Sequence, residues 1–406
     1  MIDSRSSSCK VHRPHRLLGQ PFRCLTTTMA ALILTMELAS VSQAQSPNTV
    51  NAASCAPGDV VNAVNSARAG DIVQVPAGVC TWPSSVGFSK NIWLRGAGAG
   101  ATVFRNNGAW EQYYNGYLIT WNGPFEMSGI TIDGNNAVGA LSVGGTGSGL
   151  KIHDNTFTHS RGRAFNDTGL VYGVVWNNRF VDNFVDVDSG GVDQAGWDAP
   201  FKYGDANTLY VEDNVFVKQT DEFRGQVYYT EQGGRMVLRH NTFTGYIDYD
   251  LLDNHGNLGS DTRTRGFVGG EIYDNTFAIT PGSYSSWRLM YHRGGQLLLY
   301  NNAVTSAGSS VVINLTEEDG YATAFGCPCP IRDKVTNTYF KNNTFNGAEV
   351  PVTFTNSQDA TNLQLNRDYF VGSLPAGYTP YTYPHPLRGG STVETPAAPR
   401  NVRVVR

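Results

Sequence analysis

The stretch 209–305 repeats one phrase four times: LYVEDNVFV (209–217), MVLRHNTFT (236–244), GEIYDNTFA (270–278) and LLLYNNAVT (297–305). Looser copies are LKIHDNTFT (150–158), VVWNNRFV (174–181) and TYFKNNTFN (338–346). Each is an alternating apolar run that ends at an Asn and is followed by an apolar residue two places on. The shared residues are Asn155, Asn178, Asn214, Asn241, Asn275, Asn302 and Asn343, between 23 and 41 residues apart. A minimum in the low twenties, stretched by insertions, marks a stacked β-solenoid.

Period-2 alternation makes a strand with one buried face. Three places before each Asn stand Ile152, Val175, Val211, Leu238, Ile272, Leu299 and Phe340, so that position points inward. The Asn sits at the turn, where its side chain bonds backbone and its own conformation tolerates αL geometry. Coils ~4.8 Å apart then stack the Asn side chains into an internal ladder.

Positions two and four before the Asn must point outward. They include Trp176, Glu212, Arg239, Tyr273, Tyr300, Tyr210 and Glu271. Aromatic platforms stack on sugars, and charged groups bond hydroxyls or carboxylates, so this wall is expected to contact a glycan. The competing reading is an aromatic ladder that only stabilises the outer sheet. Neighbouring coils should bring Glu212 beside Arg239.

Residues 1–44 read as an export signal: a basic leader, an apolar core over 29–41 and small residues at Ser42 and Ala44. No later apolar run is long enough to span a bilayer, so no membrane attachment is expected once the signal is removed. Without the leader the chain carries 25 basic and 32 acidic residues, a net charge of −7. That charge argues against nucleic acid as a partner. Cys55 and Cys80 flank the first amphipathic segment and read as a disulfide, as export permits. Cys327 and Cys329 are one residue apart, which leaves a reduced pair or a strained loop disulfide open. Residues 56–70 carry apolar residues at helical spacing and read as a helix capping the open solenoid end.

The strings GDIVQVPAG (70–78), IWLRGAG (92–98), YVEDNVF (210–216), GGRMVLRHNTF (233–243) and YTPYTYPHPLRG (378–389) carry a resemblance. The chain resembles secreted bacterial right-handed parallel β-helix proteins of the pectate-lyase-like superfamily, over roughly residues 55–390. The resemblance implies a single-stranded right-handed parallel β-helix over 45–388, with an N-terminal capping helix. It also implies a monomer whose partner is an extracellular polysaccharide, with a cleft on an outer sheet walled by turn insertions. Lyases, hydrolases, epimerases and adhesins all share this architecture, and the WIDH-like and RxPxxR strings of pectate lyases are absent. Residues 389–406 read as a linker or the stub of a further module, and the Tyr- and Pro-rich tail 375–387 as a shield for the last coil's edge.

The phrase spacing places insertions at 182–207, 218–234, 246–269 and 306–337. In the third, Asp253 and His255 have the spacing of an oriented general base. Elimination on a uronate also needs a cation at the carboxylate, for which Arg239, Arg263, Arg265 and Arg293 are the candidates. Asp186 and Asp188 would put two carboxylates on one side of a strand, a possible start of a Ca²⁺ site. The leading expectation is a polysaccharide lyase. A glycoside hydrolase, with Glu212 and Glu271 as outward carboxylates, and a noncatalytic glycan-binding protein are its rivals.

Overall fold

The computed structural model describes residues 46–108, 116–190, 201–223, 225–257, 265–282, 284–318 and 334–389. The leader 1–44, Arg263, Cys327, Cys329 and the segment 390–406 lie outside the described residues.

Each copy of the phrase forms two strands with a sharp corner between them. In one coil Leu209–Glu212 belongs to a first sheet, Val215–Lys218 to a second and Tyr228–Thr230 to a third. The chain then returns to the first sheet one layer on. Repetition gives sheets of 12, 11 and 10 strands, and the result is a right-handed parallel β-helix. The single antiparallel pairing among the described strands is Thr344–Phe345 with Ala348–Glu349, in the last coil.

Register follows from the inward residues. Ile152, Val175, Val211, Leu238, Ile272, Leu299 and Phe340 lie opposite one another through seven layers and are fully buried. Past the corner, Phe157, Phe180, Phe216, Phe243 and Phe277 form a second inward column. The first three rings stack at 4.9 Å spacing. At the N-terminal end the helix Pro57–Ser66 buries Val60, Ala63 and Val64, and the expected Cys55–Cys80 disulfide closes the loop beside it.

The Asn ladder is present. Each Nδ2 donates to the Oδ1 of the Asn in the next coil, from Asn155 to Asn343, at 2.9–3.1 Å. Each also donates to the carbonyl two residues before it or one coil back, as Asn241 does to Arg239 and Val211. One detail differs from the sequence reading. The αL residue is the one before each ladder Asn: Asp154, Asn177, Asp213, His240, Asp274, Asn301 and Asn342 have φ between 50° and 56°. That residue turns the chain, and the ladder Asn is then free to point inward.

The outward wall of the first sheet is not a solvated surface. Glu212, Arg239, Tyr210, Tyr273, Tyr300 and Glu271 are buried, because residues 374–388 and Tyr203 lie across them. Arg239 pairs with Glu212 at 2.6–2.7 Å and donates to Tyr273 Oη and to the Tyr381 and Thr382 carbonyls. Glu212 also accepts from the His385 amide and from Arg388. Glu271 accepts from the Gly204 amide and from Tyr378, which also meets Tyr300. Trp176 stacks on His153 at 4.2 Å, with Arg388 over its ring. The tail therefore covers a sheet face and not the edge of the last coil. The Glu212–Arg239 contact holds as expected, but it anchors the tail and is closed to a glycan. Burial opposes ionisation of Glu212, yet Arg239, Arg388 and the His385 amide outweigh it and keep its carboxyl below the ordinary range.

Two predictions follow from these contacts. Asn241→Ala removes the acceptor of the buried Asn214 backbone amide and a donor to the Val211 and Arg239 carbonyls, at about 1–3 kcal/mol for each group left unpaired. It should lower the urea midpoint far more than Asn342→Ala at the exposed neighbouring position, and equal losses would count against the ladder. Arg239→Met strips a buried carboxylate of its main partner and should cost about 3–5 kcal/mol. The same change should make the tail sensitive to limited proteolysis; an intact tail would show that Arg239 does not hold it.

Candidate functional site

The third sheet was not legible as strands, because most of its central members lie inside the insertions that the phrase spacing marks. Val185–Ser189, Tyr228–Thr230, Asp250–Asn254, Ser286–His292 and Ser310–Leu315 are its central strands. Val187, Tyr228, Leu252, Met290 and Ile313 point into the bore in register. Each following residue points outward, which gives a column of Asp188, Tyr229, Asp253, Tyr291 and Asn314.

Two of the outward strand ends carry the predicted residues. His255 follows Asp253 at the exit of its strand, and Arg293 stands beside it one layer on. Arg293 donates to Asp253 at 2.8 Å and to Glu318 at 2.9 Å, and its Nη2 touches His255 Nε2. His255 Nδ1 lies 3.1 Å from Glu318 Oε2, which also takes the Gly256 amide. Asp253 Oδ2 is 3.6 Å from His255 Nε2. Because Arg293 can only donate, the partners assign the His255 lone pair to Nε2 and the proton to Nδ1. Burial works against an ionised Glu318, but His255 and Arg293 outweigh it and hold the carboxyl below its usual range.

Aromatic rings line the same strip. Tyr229 packs on His255 at 4.9 Å, and Tyr291 lies under Arg293 at 4.6 Å and Arg288 at 3.9 Å. Two layers back from Tyr229, Arg163 bridges Asp188 and Glu231, with Tyr229 5.4 Å from its guanidinium carbon. Burial and the neighbouring carboxylates raise the Tyr229 phenol, which stays protonated. Arg288 pairs with Asp250. Tyr229, Tyr291, His255, Arg163 and Arg293 all keep part of their surface exposed. His292, between Tyr291 and Arg293, turns inward instead. It is buried against Asn254 and Thr338, and burial pushes its imidazole down to about 3.

Of the candidates, His255, Asp253 and Arg293 are thus brought together. Arg239 belongs to the covered first sheet, with its donors spent on Glu212, Tyr273 and the tail. Arg265 stands near Arg235, whose guanidinium burial lowers and Arg265 lowers further. The Asp186–Asp188 pair does not form an open calcium site. Asp186 faces Lys218 at 3.3 Å, Asp188 faces Arg163, and both are fully buried. Among the described residues no three His, Cys, Asp or Glu side chains converge on a metal position. Sequence reasoning missed Arg163, Tyr229, Glu231, Arg288 and Glu318. A usable signal existed: an apolar residue followed by a polar or aromatic one, once per coil.

No family model matches this sequence, and no curated protein matches it. Among solved structures the chain is similar to an alginate lyase from Paenibacillus sp. str. FPU-7, at TM-score 0.48 and 11% identity over 75% of this chain and 98% of that one. It is also similar to pectin methylesterase PemA from Erwinia chrysanthemi, at TM-score 0.37 and 12% identity over 78% and 95%. Likeness at this level carries no argument about chemistry, and the fold stands on the strand pairing itself.

The strip has a pH signature of its own. Burial and the nearby Glu231 charge outweigh Arg163 and push the Asp188 carboxyl up to about 7. Its unfolded value is about 3.9, so folding takes up a proton between the two. The stability it contributes is complete below that unfolded value and is lost as pH rises through about 7. Urea denaturation across this window should show a shallower pH dependence for Asp188→Asn than for the wild type. Parallel slopes would mean that Asp188 is ionised throughout.

Proposed function

We propose that this is an exported polysaccharide lyase whose third-sheet strip cleaves a uronate-containing chain by β-elimination. One observation carries the reading: an imidazole oriented by a carboxylate, with its lone pair turned toward a guanidinium, on a part-exposed face flanked by tyrosines. In this reading the sugar carboxylate draws Arg293 Nη2 away from His255 Nε2, and the freed lone pair takes the proton at C5. Arg293 lies against the sugar carboxylate and stabilises the charge that develops there. The C4–O4 bond breaks as the C4–C5 double bond forms, and Tyr291 gives its phenolic proton to the leaving oxygen. Glu318 is a positioning residue, fixing the tautomer and angle of His255. Export rests on the leader's composition and on the Cys55–Cys80 disulfide, which an oxidising compartment permits.

The strip also holds more carboxylates than guanidinium groups, since Asp188, Glu231, Asp253, Glu318 and Asp250 surround Arg163, Arg293 and Arg288. That balance favours a glycoside hydrolase as the second reading.

Incubation with a panel of polyuronates should give the ultraviolet absorbance of an unsaturated uronate. His255→Ala should reduce it by about 10²–10⁴-fold. Glu318→Gln should lower the rate less, by about tenfold, and displace the pH–rate profile, a change that a purely structural residue would not produce. New reducing ends without that absorbance would identify the hydrolase instead. Retardation in glycan gels with no product would leave binding alone.

A further inference from the structure

Behind the outward strip runs a buried column. One place after each outward residue of the third sheet the chain points back into the bore, and that position reads Val143, Asp167, Ser189, Thr230, Asn254, His292 and Leu315 in directly paired strands. All seven are buried. The outer members Val143 and Leu315 are apolar, as packing alone would choose. Thr230, Asn254 and His292 are polar, and each stands immediately before a residue of the strip: Glu231, His255 and Arg293.

These three side chains form a relay of one polarity. Thr230 Oγ1 donates to Asn254 Oδ1, and Asn254 Nδ2 donates to His292 Nδ1 at 3.3 Å. His292 Nε2 lies 3.1 Å from Thr338 Oγ1, whose own proton goes to the Thr336 carbonyl at 3.1 Å. That hydroxyl can therefore only accept, so His292 carries its proton on Nε2 and its lone pair on Nδ1. His255 has the opposite tautomer. A second proton on His292 would face the Asn254 amide donor, and burial keeps the ring neutral.

The same residues hold the backbone of the site. The His255 amide donates to the Thr230 carbonyl at 2.8 Å, and the Arg293 amide to the Asn254 carbonyl at 3.0 Å. Side chains locked inside the bore thus carry His255 and Arg293 one coil on. A polar chain in a dry core is costlier than Val or Leu unless each member is paired. Core stability alone gives no reason for this relay to sit behind the strip.

We propose that His292 is a positioning residue, which through Asn254 sets where the His255 imidazole stands relative to the Arg293 guanidinium. The inference rests on the site described above, and its main readout does not require the elimination reaction.

Histidine nitrogen NMR on labelled protein tests it, with signals assigned from the His255→Ala and His292→Gln variants. The wild type should show His255 as the Nδ1–H tautomer and His292 as the Nε2–H tautomer at neutral pH. His292→Phe keeps a ring but cuts the relay. It should move the His255 signals toward a mixture of tautomers and, on a polyuronate, lower kcat by about tenfold with KM nearly unchanged. His292→Gln, whose amide can accept from Asn254 and donate to Thr338, should restore both. If His292→Phe does not fold, Thr338→Val removes the far acceptor at similar volume and should move the same signals by a smaller amount. Unchanged His255 signals in both variants would overturn the proposal, whatever the loss in melting temperature. So would an Nδ1–H tautomer at His292, or Phe and Gln variants that behave alike. A wild type that yields no unsaturated product would remove the lyase reading, and the nitrogen signals would still decide the relay.

Discussion

Every feature of this protein depends on one buried contact repeated between coils: the side-chain amide of an Asn handed to the next Asn in a dry corner. An amide has two donors and one strong acceptor, so a stack of them satisfies its own members and ties down the backbone of both flanking strands. Away from water, a coil displaced by one residue would strand these groups without partners. Register is thereby fixed at the corner and carried to all three sheets. The αL residue before each Asn supplies the bend, and short Asp, Asn or His side chains fill it in every layer.

Fixed register turns distant residues into columns, and what covers a column decides its role. Arg239 and Arg293 show the contrast. Each is a guanidinium on an outward face, bonded to carboxylates and flanked by Tyr. Arg239 lies under the tail, every direction blocked by Tyr381, Thr382, Tyr273 and Glu212, and holds that tail in place. Arg293 keeps an open side and reaches His255. Identical chemistry serves anchoring in one place and a candidate reaction centre in the other.

Carboxylates outnumber guanidinium groups in the third-sheet strip. Pairs of carboxylates close around single arginines, and burial decides which proton stays. Asp188 is held up by desolvation, while Glu318 is held down by Arg293 and His255. Carboxyls perturbed in this way are a common mark of functional sites. Glu318 and Arg293 together fix the His255 tautomer, since an acceptor and a donor press on opposite ring nitrogens.

The solenoid, the Asn ladder, the inward columns of the first two sheets, the capping helix and the Cys55–Cys80 link were legible in the linear chain. They are written as short-range alternation and as spacing between copies, which physics translates directly into strands and layers. His255, Asp253 and Arg293 were legible as chemistry without a partner. The covering of Glu212, Arg239 and the tyrosines was not, because residues 374–388 fold back over strands with partners 78 to 176 positions earlier and no local pattern records that contact. Glu318, Tyr229 and Arg163 were hidden for a similar reason: their meaning lies in the neighbour one coil away. The repeat by itself determined that such columns exist. Only the packed structure decided which of them stays open to water, since that depends on where the remaining chain comes to rest.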